Sequence, residues 1–147
     1  MKDIPLKDVY FFVIERAIKS VRRYSQNVFN DHSFDLTVDQ WIVLKRIHES
    51  EGITQAEIAE DVIKDNASVT RIIDQLVKKE LVSRQPHAGD RRRFSLTLTK
   101  HGVQLYKKIL PVIIRMRAQG IEGISEKELK TTINVLNKIA ENAVHLH

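Results

Sequence analysis

A chain of 147 residues, 42% apolar and 29% charged, suits one globular domain or two small lobes sharing a sizeable core. It contains no cysteine, which excludes a disulfide scaffold, a Cys-based zinc site and a thiol redox sensor. No apolar run approaches the length of a membrane span, and the opening Met1-Lys2-Asp3-Ile4-Pro5 lacks a signal peptide, so the cytoplasm is the expected compartment and no membrane partner is expected.

The net charge of +5 is local. Between Lys64 and Lys100 nine bases (Lys64, Arg71, Lys78, Lys79, Arg84, Arg91, Arg92, Arg93, Lys100) outnumber four acids (Asp65, Asp74, Glu80, Asp90), an excess equal to that of the whole chain. A concentrated excess is what a polyanion-binding surface needs.

Taken in order, the first element is a helix over roughly residues 6–30, with Tyr10, Ile14, Ala17, Ile18, Val21, Tyr24 and Val28 on one apolar stripe. Three capping boxes then mark helix starts: Thr37-Val-Asp-Gln40, Thr54-Gln-Ala-Glu57 and Ser125-Glu-Lys-Glu128. The first opens a helix through His48 and the second a short one to about Val62. The third opens a terminal helix striped by Leu129, Ile133, Leu136, Ala140 and Ala143. Between Asp65 and Lys79 the helical pattern is sharpest, with Val69, Ile72, Ile73, Leu76 and Val77 opposite Ser68, Arg71, Gln75 and Lys78.

The period then changes to two. Leu81–Gln85 and Arg93–Leu98 read as strands, with Phe94, Leu96 and Leu98 alternating with Ser95 and Thr97, and Pro86-His-Ala-Gly-Asp90 reads as the turn between them. Thr99 caps a helix over roughly residues 100–119 that is apolar nearly all round, predicting burial on most sides; Pro111 predicts a kink within it. The fold class expected is mainly α with a β-hairpin wing.

Two short helices followed by an arginine-bearing hairpin suit duplex DNA. A helix fits the major groove and its first residues reach base edges. Arg71 can bond guanine bidentately, Asn66 can read adenine, and Ser68 or Thr70 can reach a base or phosphate. Arg91, Arg92 and Arg93 at the hairpin tip suit the narrower minor groove, where negative potential attracts arginine. Gln55, opening the preceding helix, and Arg84, on the first wing strand, complete the expected DNA-facing set with Asp90.

These segments resemble a known family. Asn66-Ala-Ser-Val-Thr-Arg-Ile-Ile-Asp-Gln-Leu-Val-Lys-Lys79, Leu81-Val-Ser-Arg84, Gly89-Asp-Arg-Arg92 and Leu98-Thr-Lys-His-Gly102 are similar to the multiple-antibiotic-resistance regulator (MarR) family of winged helix-turn-helix transcription regulators. The resemblance implies a homodimer with intertwined terminal helices and a pseudo-palindromic operator. It also implies, as often in the family, a small effector between the dimer and DNA lobes that releases DNA, with repression as the mode of action. It makes Arg92 the minor-groove arginine, with Asp90 positioning it or a neighbour, and sets Ser68, Thr70 and Arg71 in the major groove. The expected division is residues 1–35 for dimerisation, 36–100 for the winged helix and 101–147 for dimerisation again. One departure is Glu80, where the family usually has glycine; with φ > 0 it costs roughly 1 kcal/mol.

Plainer readings compete. Lys64 and Lys78 can be merely solvated, and Asp90 can simply bond its own turn. Tyr10, Phe11, Phe12, Tyr24 and Trp41 can line a ligand pocket, but packing in the core and dimer interface is preferred. The six histidines, including terminal His145 and His147, show no metal-ligand spacing, so neither a metal nor a cofactor is expected. No nucleophile–base pair or phosphate loop indicates an enzyme. The alternative to a DNA-binding regulator is a winged-helix protein-interaction module without DNA readout.

Overall fold

A computed structural model describes residues 4–62 and 65–145; Met1, Lys2, Asp3, Ile63, Lys64, Leu146 and His147 lie outside it. A 3-10 turn at Leu6–Asp8 precedes α1 (Tyr10–Asp31), α2 (Val38–Glu49), β1 (Ile53–Thr54), α3 (Gln55–Asp61) and α4 (Asn66–Lys78). β2 (Val82–His87), β3 (Asp90–Leu98), α5 (Lys100–Gly120) and α6 (Glu126–His145) complete the chain. The first helix starts later than expected because Val9 is extended (φ −71°, ψ 118°) and separates the 3-10 turn from α1.

All three capping boxes form. Thr37 accepts the Gln40 N–H at 3.1 Å while Gln40 Oε1 accepts the Thr37 N–H at 3.1 Å. The Thr54–Glu57 and Ser125–Glu128 pairs make the same reciprocal bonds. α1 and α4 end alike: Phe34 N bonds Phe29 O and Leu81 N bonds Leu76 O, closing the last turn over Ser33 (φ 54°) and Glu80 (φ 58°). Glu80 thus occupies the left-handed conformation that the departure from glycine put at issue.

One compact unit runs to Val112 and the second begins at Ile113, the division falling inside α5. In the first unit α2, α3 and α4 pack on one another and on an antiparallel sheet of order β1-β3-β2. The core is formed by residues such as Phe29, Leu44, Ile47, Ile58, Ile73, Leu76, Leu96 and Ile109. Trp41 lies edge-on to Phe29 (6.4 Å between centroids) and stacks on Tyr106 (5.2 Å). β1, absent from the sequence reading, adds Ile53 opposite Leu96 and Thr54 opposite Ser95.

The start of α5 explains the Leu-Thr-x-x-Gly segment. Thr99 Oγ1 accepts the Gly102 N–H at 3.0 Å and donates to Glu80 O at 2.6 Å. A Cβ on Gly102 would lie 2.1 Å from Leu81 O, so only glycine lets this helix approach the backbone just before β2.

One expectation for α5 changes. Burial on most sides gives way to a single stripe: Gly102, Tyr106, Ile109 and Ile113 are buried, Leu110, Val112 and Met116 only partly, and Ile114 is 57% exposed. Pro111 lies inside α5, which runs from Lys100 to Gly120. In the second unit no described residue of α6 is buried; Ile133, Val135 and Leu136 remain open to solvent.

Candidate nucleic-acid interface

α4 buries Val69, Ile73 and Leu76 and turns Asn66, Ala67, Arg71, Asp74 and Lys78 outward. Asp65 caps it, accepting the Ser68 N–H at 2.8 Å and the Ser68 hydroxyl at 2.7 Å. Those two bonds, helped by the Arg71 charge, hold the Asp65 carboxyl below its ordinary range. Arg71 Nη2 reaches Ser68 Oγ at 3.3 Å, leaving most of its guanidinium donors open. Ser68 and Arg71 line a shallow cavity of 270 Å³ with Asp39, Ile72 and Gln75.

Gln55 and Thr70 are coupled. The Thr70 hydroxyl donates to Asn66 O at 2.7 Å and accepts from Gln55 Nε2 at 2.5 Å. This bond fastens the start of α3 to the first turns of α4. Behind it the buried Gln40 donates to Gln75 at 2.7 Å. Arg84 is paired with Asp74 of α4, so its charge is partly spent on bracing β2 against the helix.

The wing differs from the expected hairpin in a way that matters. Pairing runs regularly from Val82–Leu98 to Pro86–Phe94, then jumps to His87–Asp90. Arg91, Arg92 and Arg93 therefore face no residue of β2: the whole triplet is the bulge. The strands extend to His87 and from Asp90, shortening the turn to Ala88-Gly89, because the bulge absorbs the residues a longer loop would have held. Asp90 Oδ1 accepts the Arg92 N–H at 2.9 Å, so Asp90 positions the Arg92 backbone. The Arg91 and Arg92 side chains are exposed and make no hydrogen bond or ion pair among the described residues. Arg93 instead reaches back to Thr54 Oγ1 at 3.0 Å, and that hydroxyl donates to Glu57 at 2.5 Å. The Thr54 bonds, then the Arg93 charge, keep the Glu57 carboxyl below its usual range.

Phe94 shares the alternation of Leu96 and Leu98 along β3 but not their burial. It is 51% exposed, while Leu96 is buried and Leu98 half-buried. Phe94 flanks the bulge and lines a groove of 340 Å³ with Gln55, Asn66, Arg84, Arg92 and Arg93. Six side chains from α3, α4 and both wing strands thus meet at one opening. Thr54, Asp74 and Phe94 were missed from sequence. Thr54 was recognised as a helix cap, but its hold on Arg93 depends on the β1–β3 pairing, which two residues cannot signal.

Residues 36–94, covering α2 through the wing bulge to Phe94, match the MarR family model. Among solved structures, a crystal structure of MarR is 27% identical, with a TM-score of 0.74 over 99% of this chain and 95% of that one. Over residues 36–94 the chain is similar to the MarR family. The S. aureus MepR–DNA complex aligns at 22% identity over 91% of this chain and 98% of that one, with a TM-score of 0.82. BpsR of Bordetella bronchiseptica, whose DNA binding is regulated by 6-hydroxynicotinic acid, aligns at 20% identity over 95% and 98%, with a TM-score of 0.86. These likenesses extend the MarR fold to α1, α5 and α6. Among the described residues no helix is long and apolar enough to cross a membrane.

Proposed function

We propose that the protein is a ligand-responsive transcription regulator that binds a pseudo-palindromic operator as a homodimer. The observation that carries this reading is the convergence on one opening of the α4 start, the α3 start and an arginine bulge whose Arg92 side chain is uncommitted. Arg71 and Asn66 read bases, Ser68, Thr70 and Gln55 hold the helix against DNA, and Arg91 and Arg92 enter the minor groove. Arg93 and Arg84 act chiefly by fixing the wing, through Thr54 and Asp74.

Residues 1–35 and 101–147 supply the dimer interface. Tyr10, Phe11, Ile18 and Val21 on α1 and, in the second unit, Ile133 and Leu136 on α6 are exposed apolar side chains in the single chain, and each helix thus offers an apolar face for a partner copy. Regulation by a small molecule is supported by BpsR and 6-hydroxynicotinic acid. Repression as the mode of action rests on the resemblance to the family.

Footprinting of genomic fragments with the purified protein, followed by titration of the protected duplex at several salt concentrations, tests the reading. A paired footprint and an affinity that falls steeply with salt are expected. Absence of salt-dependent duplex binding would contradict it and favour a protein-interaction module.

A further inference from the structure

The groove between the wing and the helix starts joins a phenyl ring to three cations. Phe94 and Leu96 project from the same side of β3, and their partners on β2 are Pro86 and Arg84. Leu96 is buried, whereas Phe94 keeps about half its surface open as part of the groove lining. Arg84, Arg92 and Arg93 line the same space, with Gln55 and Asn66 from the starts of α3 and α4, and no carboxylate is among the lining residues. Arg93 is engaged by Thr54 and Arg84 by Asp74, but a guanidinium has donors to spare beyond one such bond. A lone exposed phenyl on a protein surface needs no explanation. One that lines a groove with three arginines and no acid calls for an occupant that is anionic and apolar by turns.

The occupant follows from the function proposed above, on which this inference rests. With α4 in the major groove and Arg91 and Arg92 in the minor groove, the sugar–phosphate strand that divides those grooves runs between them. Asn66 on α4 and Arg92 on the wing are both lining residues, so the strand runs through this groove. Its chemistry alternates as the lining does. Phosphate oxygens take guanidinium and amide N–H groups, and the face of a deoxyribose ring, with only C–H bonds at C2′, takes a phenyl ring. A ribose carries a hydroxyl at C2′. Pressed onto the ring, that hydroxyl would lose water and gain no partner.

We infer that Phe94 packs on one deoxyribose of each half-site and thereby reads the sugar, so that the groove accepts a DNA strand and disfavours a ribose at that nucleotide. The contact is apolar and indifferent to the base that the sugar carries.

The full-length protein is titrated against the footprinted operator and against duplexes in which a single ribonucleotide replaces each nucleotide in turn, in both half-sites at once. At one position between the α4 and wing contacts the ribose should weaken wild-type binding about tenfold. Phe94→Ala, whose fold is checked by melting, should bind the operator and a scrambled duplex about five- to tenfold more weakly, with an unchanged salt slope because no phosphate contact is lost. It should also lose the ribose penalty at that one position. Effects of the ribose on duplex shape act on both proteins alike and cancel in the comparison. Phe94→Leu, which stays apolar, should keep most of the affinity and of the ribose penalty. A ribose response that is the same with and without Phe94 at every position overturns the inference. So does a loss in Phe94→Ala that is confined to the operator, which would make Phe94 a base contact, or one that flattens the salt slope. Wild-type protein that binds no duplex overturns the function reading and this contact together, whereas duplex binding with a Phe94-independent ribose response overturns the contact alone.

Discussion

Glu80 holds a left-handed backbone at the end of α4 (φ 58°), a conformation that costs a residue with a Cβ about 1 kcal/mol relative to glycine. Glu80→Gly should therefore raise stability by about 0.5–1 kcal/mol in a denaturant titration, the gain being trimmed by the greater freedom of glycine when unfolded. A loss of stability would mean that the Glu80 side chain supports the turn. Gly102 is the opposite case. Its missing Cβ is what lets α5 approach Leu81 O, so Gly102→Ala should destabilise by about 1–3 kcal/mol, measurable in the same experiment. Gly102 was visible in sequence as part of a family-like segment, and Glu80 as a departure from the glycine usual there, with the cost of a positive φ already at issue. The physical reason for Gly102 was not visible, because a backbone contact leaves no periodic trace.

At the scale of elements, legibility follows the physics of each signal. The capping boxes at Thr37, Thr54 and Ser125 are local chemistry, and each set a helix start correctly. The alternation of Phe94, Leu96 and Leu98 was legible as a strand, but not which side of it faced solvent. At Phe94 an exposed aromatic beside three arginines follows the same period as a core position. The bulge was illegible because it needs the register of two strands, and with it went the separation of the free Arg91 and Arg92 from the anchored Arg93. Thr54→Val tests that separation. It removes the oxygen that caps α3 and holds Arg93, so the protein should lose about 1 kcal/mol, and the wing amides should exchange faster with solvent. Unchanged wing exchange would show that Arg93 is held by something other than Thr54. The same caps set the acid response. Glu57, Asp65 and Glu128 have folded-state pKa values lowered by their hydrogen bonds, so their stabilisation is complete above the ordinary carboxylate range and is lost as pH falls through the lowered values. The melting temperature should decline on acidification below the ordinary carboxylate range, and Glu57→Gln should reduce that decline; an identical acid profile would remove Glu57 from it.

For the whole molecule, the proposed function needs both a dimer and a DNA-reading surface. The uncovered stripes of α1 and α6 predict a dimer at micromolar protein by sedimentation or light scattering, and a monomer mass independent of concentration would refute it. Arg92→Ala, at an exposed bulge, should weaken operator binding without lowering the melting temperature, since its side chain supports no fold contact. The most direct measurement concerns Arg71, exposed on the second turn of α4 and steadied by Ser68. Arg71→Ala and Lys78→Ala are titrated against the footprinted operator and a scrambled duplex over a range of salt. Arg71→Ala should lose about 1–3 kcal/mol on the operator and little on the scrambled duplex, with relaxed preference at one base pair of each half-site. Lys78→Ala, nearer the end of the helix, should weaken both duplexes alike and flatten the salt slope if it touches phosphate. Equal losses for Arg71→Ala on the two duplexes would make Arg71 a phosphate clamp and contradict sequence readout by α4.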